Sequence, residues 1–425
     1  MAQSCIKRHT SLSDLRKFFI FCRKLFKTIK LSRDFFKNSI IAYSFIFLAF
    51  SIYPAKAKDS HSSNGLTLYS ASRVFDGEKI HENASVLIKN NKIISIGSQN
   101  DYKNQKLNRY NLGDATILPG FIELHAHILL TNVPADKVLK HGVTTARDVG
   151  GPLKPISGGD GHLRLLTAGP ILTTQKGYPI SVFGKGFVAE AVGSEEEAKT
   201  IVRKIVAGGA SSIKIALEPG GEPGAPWSNA HEGASSPPWP MMSKNIVKSI
   251  VNEAHDLGKI VTAHISDNFG AEVSIETGVD EWAHIPCLEI DETILRQAVD
   301  HKIRIVTTLD TMSHCPGVFS NGKKLAKLGA TFLYGAEIAH VDIPWGIDAQ
   351  ELRLMHHITG MSAIDVLKSA TSEAGKEIGI PLLGKLTADA PADIIAVKGN
   401  PIQNFKLLEY PDLVISGGKI VVNNF

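Results

Sequence analysis

Apolar and polar positions change their rhythm twice along this chain. From Leu66 to Ile117 they form short runs broken by turn residues: LTLYSASRVFDG, ENASVLIKNNKIISIGS and DATILPG. Short runs of this kind bounded by turn signals read as strands, and Asn90-Asn91 suits a hairpin turn. After Gly120 the pattern becomes an alternation of strand-like and helix-like runs. The strand-like ones are FIELHAHI, VTTARDVG, LRLLTAGPIL, SIKIALE, KIVTAHI, VDEWAHI, RIVTTLD and ATFLYGAE. Helical segments such as SEEEAKTIVRKIVAGG and MMSKNIVKSIVNEAHDLGK lie between them. Ser194 is placed to cap the first of these, whose opening turn holds three acids. Strands separated by helices imply a parallel sheet, and eight such units predict an α/β fold closed as a (β/α)8 TIM barrel. The last runs, PADIIAVKG and DLVISGGKIVVNN, return to strand. The expected organisation is a small β-sandwich domain formed by residues 58–118 and 388–425, with the barrel, 119–387, inserted between its halves. A doubly wound open sheet is the alternative, but no glycine-rich phosphate loop opens a helix.

One segment fits neither rhythm. Glu218–Pro240 (EPGGEPGAPWSNAHEGASSPPWP) carries six prolines and four glycines, too many for a regular element. It follows the strand that holds Lys214. A loop of this length inside a compact domain is usually functional or disordered.

Charge changes the picture only at the N-terminus. The formal net charge is +4, but eleven of the 46 basic residues and two of the 42 acidic ones fall in 1–57. The remainder has 35 basic and 40 acidic residues and is mildly acidic, with no nucleic-acid surface suggested. Within 1–57 a basic stretch is followed by the uncharged run Ser39–Tyr53 and then by Ala55-Lys56-Ala57. Basic, apolar, small-x-small is the order of a secretory signal, so residues 1–57 are expected to be a signal peptide with a long basic leader. Export to the periplasm or the medium follows from it. An uncleaved leader would instead hold the protein at a membrane, and segment 11–38 reads as a basic amphipathic helix suited to a membrane surface. Cys5 and Cys22 lie in that leader. Cys287 and Cys315 remain, either as a pair in an oxidising compartment or as two buried thiols.

The candidate chemistry starts from FIELHAHI. Residues two apart on a strand share a face, so His125 and His127 point the same way, at the C-terminal end of the first barrel strand. Two imidazoles on one face suit a divalent metal such as zinc. Other polar groups end later apolar strands: Lys214 in SIKIA, His264 in VTAHI, His284 in VDEWAHI and Glu337 in FLYGAE. Each alone could be a satisfied structural residue.

Together with LPGFIELHAH, GVTTARDVGG, the closing TADAPADIIAVKGNPI and the final GGKIVV, these residues make the sequence resemble the amidohydrolase superfamily over about residues 66–425. It looks most like the branch of imidazolonepropionase-like proteins and prolidase-like dipeptidases. The resemblance implies a two-metal hydrolase, with zinc as the expected metal. His125 and His127 would hold the more buried ion, His264 and His284 the second, and Lys214, carboxylated by CO₂, would bridge them. A water activated between the metals would attack a carbonyl carbon, with Glu337 passing its proton to the leaving group. The superfamily normally carries Asp in a Gly-Thr-Asp pattern there; this chain reads Gly335-Ala336-Glu337. Asp342 is a fallback base. Lys214 read without the resemblance could be a buried lysine paired with a carboxylate.

For substrate, Tyr178 is placed to donate to a developing oxyanion, and Arg147 either clamps a substrate carboxylate or pairs with a neighbour such as Asp148. The four tryptophans, at strand ends or in following loops, would gather near one mouth or pack a proline-rich lid. His231 and His340 have no assigned role. The resulting expectation is an exported hydrolase of an amide-type C–N bond in a dipeptide, N-acyl amino acid or cyclic amide. The rivals are a low-turnover metal-binding protein of the same fold and a single-metal imidazolone- or lactone-type hydrolase, which would have no need of Lys214. Nothing in the pattern fixes the oligomeric state.

Overall fold

A computed structural model describes residues 65–184, 186–220 and 238–425. The leader with Cys5 and Cys22, and the loop residues Trp227 and His231, lie outside the described residues. The early strands are β1 (Leu66–Phe75), β2 (Ile80–Lys89), β3 (Lys92–Ser98), β4 (Asn108–Asn111) and β5 (Ala115–Pro119). The middle of the chain forms β6 (Phe121–Ala126), β7 (Val143–Asp148), β8 (Arg164–Thr167), β9 (Ile171–Thr173), β10 (Ala189–Ala191) and β11 (Ile213–Leu217). It continues with β12 (Val261–Ile265), β13 (Glu281–Trp282), β14 (Arg304–Val306) and β15 (Thr331–Leu333). The chain ends in β16 (Ile394–Lys398), β17 (Leu413–Ser416) and β18 (Lys419–Asn423).

The middle strands are all parallel to their neighbours, in a three-stranded sheet β6-β7-β8 and a seven-stranded sheet β10-β9-β11-β12-β13-β14-β15. All eight strand-like runs therefore contain strand, in an α/β arrangement. The third run is split: Gly169, at φ 74°, and Pro170 end β8 before β9 begins. Its two pieces reach different neighbours, β7 on one side and β11 on the other. Beyond β15, Ile338 makes a parallel bridge to Ala126, and its carbonyl accepts from His127 N at 2.9 Å.

Helices flank these strands through apolar stripes. Ile201, Val202 and Ile205 of the helix Glu195–Ala207 are buried, as are Val247, Ile250 and Val251 of the helix Lys244–Asp256. Ser194 caps the first as its sequence position predicts, its Oγ accepting from Glu197 N at 3.2 Å.

The two ends of the chain meet in one eight-stranded sheet of order β18-β17-β16-β5-β1-β2-β3, with β4 beside β1. The hydrogen bonding makes this a single continuous sheet where the sequence suggested a sandwich. Its side chains alternate between two cores, Phe75, Leu118, Ile395 and Val414 packing with the helices and parallel strands, Val74, Ile117, Ile394 and Ile415 forming a second cluster. Gly120 joins this sheet to β6. A Cβ there would lie 2.2 Å from Thr144 Oγ1, so only glycine lets the two strands follow each other so closely.

Cys287 and Cys315 are disulfide-bonded. The bond ties the segment after β13 to the segment after β14. Among the described residues, no helix is long and apolar enough to cross a membrane.

Candidate metal centre

The C-terminal ends of the parallel strands open on a cavity of about 750 Å³. His125, His127, Lys214, His264, His284 and Glu337 all line it, as does Tyr178. The histidines and Glu337 come from the C-terminal ends of β6 and β12 and from the residues following β6, β13 and β15; Lys214 is the second residue of β11, and Tyr178 follows β9. Parallel strands of period two put these side chains at one end of the sheet, which is why groups scattered over the sequence share one cavity.

Two imidazoles and a carboxylate form the tightest group. His125 Nε2 and His127 Nε2 are 3.3 Å apart, and Glu337 Oε1 lies 3.9 Å and 3.6 Å from them. Glu337 Oε2 is 3.8 Å from His284 Nδ1. Ligand atoms of His125, His127 and Glu337 all fall within 4.8 Å of one another, a spacing that suits one metal ion. His125 Nδ1 lies 2.9 Å from the Ala283 carbonyl, which can only accept, so Nδ1 carries the proton and Nε2 keeps the lone pair that could meet a metal. His284 Nδ1 is held by Thr308 Oγ1 at 2.9 Å. Beyond it, the His264 ring packs edge-on to His284 at 4.9 Å, and Tyr178 lies 4.7 Å from His264.

The electrostatics suit a cation. Burial pushes His125 and His284 well below the usual imidazole range, and His264 below it too, with the Lys214 charge adding to each effect. These rings are therefore neutral rather than cationic, as metal ligation would require. Burial also brings the Lys214 amine down to about 7. Among the described residues no carboxylate comes within ion-pair distance of it. Glu337 and Glu281 act on the amine from beyond that distance, and their pull is outweighed by burial. Burial would raise Glu337, but the imidazoles of His284 and His127 outweigh it, and the carboxylate stays ionised. Among the described residues, two buried atoms of these side chains, Glu337 Oε2 and His127 Nδ1 on the ring side away from Glu337, have no hydrogen-bond partner. Neutral imidazoles, an ionised carboxylate and orphaned polar atoms are a donor set that fits a divalent metal.

Glu337 sits at φ +62°, a left-handed conformation that side chains rarely adopt, and Ala339 and Asp342 follow it at +88° and +70°. Such backbone persists where surrounding structure enforces it, and it concentrates at functional sites. Asp342 lines the outer cavity and is exposed.

Arg147 is the correction. It does not line the cavity: its side chain is buried below, with Nη2 2.6 Å from Glu281 Oε1 and Nε donating to the Leu124 carbonyl at 2.8 Å. A guanidinium so enclosed cannot clamp a substrate carboxylate, and its partner is Glu281 rather than Asp148. Both members of the pair are at most 2% exposed. Arg147→Ala is therefore expected to cost about 3–5 kcal/mol in denaturant unfolding by stranding Glu281. Substrate KM in the surviving folded protein should change little.

The tryptophans also part company. Trp239 stacks on Tyr178 at 5.7 Å beside the cavity, and Trp345 lies under Lys137. Trp282 is fully buried and donates to Ser274 Oγ at 2.9 Å, away from any mouth.

Several supporting residues escaped the sequence reading. Glu123 accepts from His125 N at 2.7 Å and from Ala336 N, and so ties the first histidine strand to the segment that carries Glu337. It shares its face with His125 and His127, and a buried acid two positions before a histidine pair was a signal to read. Asp148, pushed by burial up to about 6, fixes Leu129 N at 2.8 Å just after His127. Glu218 meets His264, and nothing in its aperiodic surroundings marks it.

Comparison with known proteins agrees with this geometry. The family model of the amidohydrolase family matches residues 116–421. An ochratoxinase of Aspergillus niger is 27% identical over 297 residues, covering 62% of this chain and 57% of the relative. The match thus spans little more than half the length of that relative. An uncharacterised protein of Mycobacterium tuberculosis is 26% identical over 336 residues, 71% of this chain and 84% of the other. In structure, the A. niger ochratoxinase superposes with a TM-score of 0.69 at 20% identity, over 84% of this chain and 96% of its own. A Xaa-Pro dipeptidase does so with a TM-score of 0.66 at 23% identity, over 84% and 99%. At these identities the structural likeness shows the fold alone.

Proposed function

The chain belongs to the amidohydrolase family, and on that premise we propose that it is a metal-dependent hydrolase of an amide-type C–N bond in a small substrate. Its two parallel sheets, joined at β8–β9 and by the Ala126–Ile338 bridge, are read as one eight-unit barrel. The observation that carries the proposal is the convergence of four imidazoles, a buried lysine and an ionised carboxylate on one cavity.

In this reading His125 and His127 hold one divalent ion and His264 and His284 a second, with zinc favoured by the imidazole donors. Lys214, as a carbamate, would supply them with anionic oxygen donors. A free amine, not an ammonium, reacts with CO₂, and burial has already brought Lys214 to about 7. Bound metal would polarise the scissile carbonyl and make water a better nucleophile. Glu337, ionised and facing the imidazole group, takes the proton released by the attacking water and returns it to the leaving nitrogen. Burial, with Glu337 and Glu218 nearby, keeps the Tyr178 phenol protonated, so it stays a hydrogen-bond donor for the oxygen that gains charge. The wall formed by Leu130, Ile171, Val188 and Ile343 excludes water and suits an apolar substituent.

Dipeptides, N-acyl amino acids and cyclic amides are the candidate substrates. The amidohydrolase family match favours a C–N bond over a lactone. The leader sequence and the Cys287–Cys315 disulfide support export to an oxidising compartment. The test is a hydrolysis panel of these amides beside matched esters and lactones, with metal added or chelated. Metal-dependent amide cleavage is expected; turnover of lactones alone, or amide cleavage indifferent to chelation, would contradict the proposal.

A further inference from the structure

We propose that Glu218 is a positioning residue of the second metal site, holding the His264 ring by its Nε2 so that the ring meets a metal through Nδ1. The inference rests on the metal reading above. Glu218 follows the last residue of β11, the strand that carries Lys214. Its side chain is fully buried, and its Oε2 lies 3.3 Å from His264 Nε2. The other oxygen accepts from Gly220 N at 2.7 Å. One carboxylate oxygen is thus anchored by the backbone and the other is aimed at the imidazole.

A buried carboxylate is costly unless it is compensated. Among the described residues no lysine or arginine pairs with Glu218, and His264 is its one side-chain partner. A carboxylate accepts and cannot donate, so the contact fixes the tautomer: the proton sits on Nε2 and the lone pair on Nδ1. The same logic fixes His125 with opposite polarity, since the Ala283 carbonyl holds its Nδ1 proton and leaves Nε2 to ligate. Partners of this type commonly change metal affinity by about 10–100-fold when removed.

A purely structural role for Glu218 is the competing account. The carboxylate stands at the base of the segment that returns at Trp239, whose N donates to the Pro219 carbonyl at 2.5 Å. The two accounts differ in what a variant does to metal binding and to the metal-free fold.

The experiment titrates zinc into the metal-free full-length chain, in bicarbonate, for wild type, Glu218→Ala and Glu218→Gln. In Glu218→Ala the weaker zinc step should be lost or shifted about 10–100-fold, with the tighter step unchanged. Glu218→Gln, which keeps an acceptor oxygen, should recover most of the affinity. Unfolding of the metal-free forms should coincide across all three. Wild-type affinity for both ions in Glu218→Ala would overturn the inference and leave the metal reading standing. So would equal weakening of both steps together with early unfolding of the metal-free variants. A wild-type protein that takes up no zinc, or one ion only, would overturn the metal reading and this inference with it.

Discussion

Lys214→Ala is expected to abolish amide hydrolysis, lowering kcat/KM by about a thousandfold or more, which is about 4 kcal/mol of transition-state stabilisation. The argument is structural. Lys214 is 2% exposed, on β11, and lines the same cavity as His125, His127, His264 and His284. A buried ammonium there would repel any cation, and among the described residues it has no carboxylate at ion-pair distance. On the proposed function the chain bears that cost because the amine would be the precursor of an anionic metal ligand. Replacing it removes a destabilising group along with a functional one. The metal-free variant should therefore unfold no earlier than metal-free wild type, and Lys214→Met, which keeps the volume, should be at least as stable. A pH consequence follows. The amine must be unprotonated to take up CO₂, and it stands at about 7. Reconstitution of metal-free protein with metal and bicarbonate should be efficient above that value and fall off as pH drops through it. A lysine serving only as packing would give a variant with near-normal turnover and no such pH dependence.

Glu337→Gln is expected to lower kcat by about 10²–10⁴-fold, with KM changed far less. The carboxylate lies 3.6 Å from His127 Nε2 and 3.8 Å from His284 Nδ1, close enough to serve a proton transfer in the middle of the group. Gln keeps the shape and loses the base. Because the carboxylate is held well below its ordinary range, wild-type kcat should show no acidic limb from Glu337 within the usual carboxylate range. Glu337→Asp separates two accounts of the unusual residue. The left-handed φ of +62° carries the longer side chain into the imidazole group. A site built around Glu loses rate with Asp, because the carboxylate is withdrawn by a methylene. A large gain in rate would instead identify the native chain as a weakened enzyme whose principal property is metal binding.

What the sequence made legible followed from local periodicity. The eight apolar runs were visible because each strand is buried and bounded by helix signals, and polar residues closing such runs stood out against them. His125 and His127 needed only the two-residue period of a strand to share a face. What it hid depended on long-range pairing. Arg147 read as a clamp because nothing nearby marked Glu281, which is 134 positions away, as its partner. Trp282 read as a mouth residue because a two-residue strand gives no parity signal, and the ring turned toward its helix. The third strand read as continuous although Gly169-Pro170 divides it, an interruption that the turn-forming dipeptide announced. Glu218 sat in an aperiodic, proline-rich segment, where neither a helical nor a strand period assigns a direction to any side chain.

Metal content per chain in purified wild-type protein, prepared with bicarbonate and without chelators, tests the central claim most directly. The account predicts about two divalent ions, lost together in Lys214→Ala. A single ion unaffected by that substitution, or no bound metal after reconstitution, would contradict it.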